Sequence, residues 1–169
     1  MEVFLKNLAI RYNMDILHVN FSDIKGGASK AAYRLHDSLV RLGYDSKLLV
    51  RDKNLNSEEI YRVKFMKGNP RMDYVLGSKI QRVYINENRT NLSNTIFTQP
   101  YLGVDISSLG IINRSDIINL HWITYFLTPN SIRKLAQNKV VFWTLHDMWA
   151  FTGGCHYSAG CYKYRQLCT

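Results

Sequence analysis

The sequence predicts an α/β domain built on a doubly wound, mainly parallel sheet, and three observations carry that expectation. A short apolar run, ILHVNFS, is followed by a glycine pair, a helical repeat of small and apolar residues, and a second apolar run, DSKLLVRD. The same alternation returns later in DIINLHWI, TPNSIRKLAQ and KVVFWTLHDMW. No internal repeat or low-complexity stretch interrupts it. A strand–helix–strand unit favours parallel neighbours, and two βα pairs flanking a less regular middle suggest the doubly wound arrangement.

Each element has a local reason. ILHVNFS is short, apolar and partly β-branched, which reads as a buried strand. In DIKGGASKAAYRLHDSLVRLGY, residues Ala28, Ala31, Ala32, Leu35, Leu39 and Leu42 recur at helical spacing. Asp23 or Ser29 is the candidate cap of that helix and Gly43 its natural stop. DSKLLVRD is the second strand. The middle, roughly residues 53–114, offers one clear feature. RMDYVLGSKIQRVYI puts Met72, Val75, Leu76, Ile80 and Val83 on one helical face with Arg71, Lys79 and Arg82 elsewhere, although Gly77 weakens the helix. Such a helix either rests on an anionic membrane surface or packs its apolar face on the sheet. Further on, DIINLHWI is a strand, TPNSIRKLAQ a short helix with Pro129 in its first turn, and KVVFWTLHDMW another strand.

Length and composition bound the rest. The chain of 169 residues suffices for one domain with a substantial core. No apolar run approaches a membrane span, and MEVFLKNLAIRYN is too short and interrupted to be a signal peptide. Together with three cysteines that form no disulfide framework, this points to a reducing cytoplasm. The net charge of +9 favours polyanionic partners such as nucleic acid, acidic lipid or phosphorylated small molecules. No nucleic-acid-binding motif accompanies it, so nucleic acid is not the expected partner.

Three stretches could carry chemistry. In DIKGGASK, Gly26 and Gly27 between strand and helix let a ligand approach the backbone, and a helix start suits a phosphate. The pattern is neither a P-loop nor a three-glycine dinucleotide fingerprint, and a tight turn that needs glycine only for its shape explains it equally well. NLHW and TLHD place His121 and His146 at two strand ends, the edge where open α/β sheets bind ligands. Histidine there donates a hydrogen bond to a hydroxyl or acts as acid or base. GGCHYSAGCYKYRQLC holds Cys155, His156, Cys161 and Cys168, but its spacings are not those of common zinc sites, so free thiols are expected.

Taken together, ILHVNFSDIKGGASKAAYRLHDSLVRLGYDSKLLV, DIINLHWI and VVFWTLHDMWAFTGGCHYSAGCYKY resemble the N-terminal half of family 4 glycosyltransferases. The subgroup is the bacterial one of exopolysaccharide and colanic-acid-type synthesis. HDMWAFTGGCHY is far more specific than the glycine loop. The resemblance covers Asp15 to the last residue, with residues 14–169 as the Rossmann-like N-terminal, acceptor-side domain of a GT-B fold and residues 1–13 as an extension. It implies retaining transfer of a sugar from a UDP- or GDP-sugar to a glycan or lipid-linked acceptor, with no cofactor and no catalytic metal.

By position, the resemblance puts Gly26 and Gly27 beside the donor diphosphate and gives His146 the hydrogen bond to the transferred sugar. It puts His121, Trp122, Asp147 and Trp149 on the acceptor side, and Gly153, Gly154 and His156 in a loop shaping the cleft. The family's donor domain is not in this sequence, so activity is expected to need a separate C-terminal half. A binding or regulatory module that kept the fold and lost catalysis is the alternative. A lipid-linked acceptor would bring the chain to the inner face of the membrane.

Overall fold

The computed structural model describes residues 14–63, 70–89 and 95–166. The extension 1–13, Cys168 and the side chains of Arg71 and Met72 lie outside the described residues. The described residues hold five strands: β1 (Asp15–Ser22), β2 (Asp45–Asp52), β3 (Ile60–Arg62), β4 (Ile117–Leu120) and β5 (Val140–Trp143). They form one sheet in the order β3-β2-β1-β4-β5, with every neighbouring pair parallel. The doubly wound, Rossmann-like α/β architecture expected from the sequence is therefore the one observed.

The helices are α1 (Gly27–Arg41), α2 (Pro70–Asn88), α3 (Gly110–Arg114), α4 (Pro129–Asn138) and α5 (Trp149–Thr152). Helix α1 packs on β1 and β2. A main core of Leu17, Val19, Leu49, Ile112, Ile118, Leu120 and Leu135 draws on β1, β2, β4, α3 and α4, while Leu48, Val50 and Ile60 form a smaller core with Tyr33 of α1. Alternate residues of β2 thus serve opposite faces, as a strand covered on both sides requires.

Helix α1 ends as its sequence suggests. Gly43 takes φ +85, Gly43 N–H donates to Val40 O, and Tyr44 N–H donates to Leu39 O, which together make a Schellman ending. Its start differs from expectation. Neither Asp23 nor Ser29 caps it; the cap position is Gly26 at φ +93, with no side-chain cap. The face turned to the sheet is also polar, with Ser29, Ala32 and His36 buried while Leu35 and Leu42 stay exposed. The reason lies on β1, where buried His18 and Asn20 meet His36 and Ser29 of α1 with polar groups that need polar partners.

Helix α4 follows its sequence signals: Pro129 opens it and Thr128 accepts a hydrogen bond from Ser131 N–H. Two other features depart from the sequence reading. Strand β5 stops at Trp143, so TLHDMW is a turn leading into α5. The apolar face of α2 does not pack on the sheet: Leu76, Ile80 and Val83 are 57, 61 and 56% exposed. On β5, Val140 and Phe142 lie in register with Ile117 and Asn119 of β4, and both are more than half exposed. No helix of the described residues is long and apolar enough to cross a membrane.

Candidate functional site

The strand order reverses direction between β1 and β4, and this switch point, beyond the carboxyl ends of the strands, is where open α/β sheets bind ligands. Three segments meet at that edge: the loop from Asp23 to Gly26 after β1, the turn at His121 and Trp122 after β4, and TLHDMW after β5.

The first loop is pinned by an aspartate that the sequence reading considered only as a cap. Asp23 Oδ2 accepts from the backbone N–H groups of Asn54 (2.6 Å) and Leu55 (2.7 Å), and Oδ1 accepts from Asn54 Nδ2 (2.8 Å). Burial alone would raise this carboxyl, yet the amides of Leu55 and Asn54 hold it below its ordinary value. The loop after β2 is thereby tied to the end of β1, and Gly26 and Gly27 are left exposed at the start of α1. The two glycines differ. The φ of +93 at Gly26 is one that side chains rarely adopt, whereas Gly27 needs no such freedom. A Cβ at either would meet no atom within 4 Å. The fold itself gives no reason for glycine at 27.

Three imidazoles run in series from the sheet interior to the edge. His18 Nδ1 lies 3.0 Å from His121 Nε2, and His121 Nδ1 lies 3.0 Å from His146 Nε2. The rings of His121 and His146 stack with centroids 5.3 Å apart. His18 and His121 are buried and His146 is half-buried. Burial, reinforced by His36, lowers His18 to about 4; burial, reinforced by His18 and His146, lowers His121 to about 3. Burial also lowers His146, against the opposing pull of Asp147. All three are therefore neutral at pH 7.

Asp147 fastens the surrounding loops. Its Oδ2 accepts from Trp122 Nε1 (2.9 Å) and His156 Nδ1 (2.6 Å), and its Oδ1 from the backbone N–H of Trp149 (3.0 Å). His156 Nε2 lies 2.9 Å from Thr98 Oγ1, and Trp149 Nε1 donates to Thr98 O at 3.0 Å. Asn20 Oδ1 accepts from Trp122 N–H at 2.9 Å, and its amide donates to Ser29 Oγ at 3.0 Å. These bonds account for most of the polar capacity in this cluster.

The glycines of TGGCHY have separate jobs. Gly153 ends α5 in the left-handed region at φ +76, while a Cβ on Gly154 would overlap the Phe97 ring. Phe97 and Cys155 form an antiparallel bridge that holds this loop to residues 95–98. Cys161 carries a free thiol, and among the described residues no group of three or more His, Cys, Asp or Glu could hold a metal ion.

The sequence-derived residues thus divide. His121 and His146 belong to the histidine series, while Trp122, His156 and the buried Trp149 gather on Asp147 in the adjoining positions of the same two turns. Gly26 and Gly27 stand at the same sheet edge on the first loop. The sequence reading missed His18, Asn20 and Thr98, and did not foresee the role of Asp23. Its available signal was the polar alternation His18, Asn20, Ser22 within an otherwise apolar strand, which marks a face that must find polar partners.

No protein-family profile matches the chain, and no solved structure matches it. Over 161 residues it is 24% identical to a protein of Escherichia coli (strain K12) described as "Putative colanic acid biosynthesis glycosyl transferase WcaC". The match takes in 92% of this chain and 38% of that protein. Set beside the site geometry, the comparison supports a glycosyltransferase relationship in which this chain spans 38% of the relative's length.

Proposed function

We propose that the chain is the acceptor-side half of a retaining glycosyltransferase of the GT-B type, acting in polysaccharide synthesis. It moves a sugar from a UDP- or GDP-sugar to a glycan or lipid-linked acceptor. A single observation carries this reading: the start of α1 at Gly26 and Gly27 and the histidines His121 and His146 lie at the strand ends around one switch point. Similarity to a protein described as a glycosyl transferase supports it independently.

Glycosyl transfer builds positive charge on the sugar and negative charge on the departing diphosphate. The free amides and dipole of α1, a helix of fifteen residues, favour the negative charge where Gly27 admits a phosphate to the backbone. His146 hydrogen-bonds the transferred sugar, and its lowered proton affinity matters here. An imidazolium next to a carbon gaining positive charge would oppose the reaction, whereas a neutral ring does not. Trp122, held by Asp147, and His121 stand on the acceptor side. Asp147, Trp149, His156, Gly153 and Gly154 act by shaping that wall, because their polar or packing capacity is used inside the protein. No cofactor or metal takes part in this reading.

In this reading a donor-binding half closes over these strand ends and excludes water, and residues 14–169 by themselves are expected to give no turnover. The exposed apolar stripe of α2, with Lys79 and Arg82 on the same helix, rests on an anionic membrane where a lipid-linked acceptor resides. The deciding experiment fuses this chain to the portion of the E. coli relative that lies outside the match and measures sugar transfer from UDP- and GDP-sugars. Transfer that disappears in His146→Ala, with the sugar's anomeric configuration kept, is the expected result. A folded fusion that transfers nothing, or transfers equally well without His146, rejects the reading in favour of a binding module.

A further inference from the structure

The histidine series has a logical property that its distances alone do not state. A neutral imidazole carries one N–H and one bare nitrogen, and each hydrogen bond in the series needs one of each. With the links His18 Nδ1···His121 Nε2 and His121 Nδ1···His146 Nε2, only two arrangements satisfy both bonds. Either all three rings carry their proton on Nδ1, or all three carry it on Nε2. No ring can switch alone.

The inner end of the series separates the two. His18 Nε2 is buried and has no hydrogen-bond partner among the described residues. In the all-Nε2 arrangement that atom is an N–H shut away from any acceptor, a situation folded proteins rarely tolerate. In the all-Nδ1 arrangement the unpartnered atom is a bare nitrogen, and every N–H of His18 and His121 is used. At the outer end, His146 Nε2 is occupied by His121, so Nδ1 is the nitrogen left for a ligand.

We infer that His18, 1% exposed on β1, and His121 are positioning residues that lock His146 in its Nδ1–H tautomer, so that it presents a hydrogen-bond donor at the switch point of the sheet. The choice decides chemistry. A donor at that point addresses a lone pair on a sugar or phosphate oxygen, whereas the other tautomer would only accept a proton from a hydroxyl. The tautomer assignment stands on the ring geometry of three neutral imidazoles; its meaning for sugar recognition rests on the transferase reading above.

The test uses the full chain, labelled with nitrogen-15, and long-range proton–nitrogen correlation of its imidazoles at pH 7.5 without substrate. The expected spectrum shows protonated Nδ1 and bare Nε2 at His18, His121 and His146 alike. Protonated Nε2 at His146, or a tautomer mixture there, overturns the inference. A His18→Leu variant removes the inner donor and releases His121, so His146 is expected to become a mixture of both tautomers. A folded His18→Leu chain, checked by its amide spectrum, with an unchanged His146 signature also overturns it. If that variant does not fold, the wild-type spectrum still decides. None of these readouts needs a sugar donor or a second half, so failure here is separable from failure of the transferase reading.

Discussion

Trp122 donates its indole N–H to Asp147 Oδ2 at 2.9 Å, which ties the turn after β4 to the turn after β5. The same carboxylate receives His156 Nδ1 and the N–H of Trp149, so one side chain fixes the relative placement of three segments. Asp147→Ala leaves three donors without their acceptor in a largely buried place. Hydrogen bonds to charged groups contribute roughly 1.5–3 kcal/mol each and are not additive, so a loss of about 3 kcal/mol is expected. Urea denaturation of wild type and variant measures it, and a change below about 0.5 kcal/mol would show that the hub is dispensable.

The two glycines at the start of α1 are expected to answer differently to alanine. Gly26→Ala imposes a positive φ on a residue with a Cβ and costs on the order of 1–2 kcal/mol. Gly27→Ala meets nothing within 4 Å and leaves stability unchanged or raises it by about 0.5 kcal/mol. In the fused enzyme, the same Gly27→Ala change is expected to weaken nucleotide-sugar binding by about tenfold, some 1.4 kcal/mol. Thermal unfolding and a titration with UDP- and GDP-sugars separate the two effects. Unchanged affinity in Gly27→Ala would mean that the turn serves shape alone.

Stability is expected to fall as the solution is acidified. The folded proton affinities of His18 and His121 lie at about 4 and about 3, below the ordinary histidine value of about 6.5. Between those limits the unfolded chain binds more protons than the folded one, so stability is complete above pH 6.5 and declines as the pH drops. His18 alone accounts for a loss of roughly 3 kcal/mol by pH 4, from its downward shift and about 1.4 kcal/mol per pH unit. Denaturation midpoints at pH 7.5, 5.5 and 4.5 follow it. A His18→Leu chain that still folds is expected to show a shallower decline, and an equal decline would remove His18 from the account.

Helix α2 is expected to bring the chain to acidic vesicles. Sedimentation with phosphatidylserine-containing liposomes exceeds that with neutral ones and falls several-fold on Ile80→Asp or at high salt. Binding that ignores the lipid charge counts against a membrane role for this face.

Most of the sheet was legible in the sequence because its strands are short apolar runs closed by local signals. Gly43 ended α1 as read, and Thr128 with Pro129 opened α4. Strand β3 was not legible: it has three residues, too few for an alternation to register. The orientation of α1 was hidden for another reason. Its helical spacing picked out Ala28, Ala31, Ala32, Leu35, Leu39 and Leu42, of which only Ala32 is buried, while the buried polar residues of β1 draw Ser29 and His36 inward beside it. The site was half legible. His121 and His146 stood out at strand ends, yet His18 lies 103 residues from His121 in the chain, and only the parallel pairing of β1 with β4 brings them together. Thr98 was invisible for the same reason, being 58 residues from His156.

The half-exposed Val140 and Phe142 on β5 give this chain's stability an unusual dependence. A parallel sheet is ordinarily clothed on both faces, and here one edge of one face carries aromatic surface in contact with water. Any molecule that covers those side chains in the folded state, and finds no equivalent in the unfolded one, adds RT ln(1 + [L]/Kd) to the folding free energy. A molecule that covers Phe142 would therefore raise the melting temperature of this chain by an amount that grows with its own concentration and affinity.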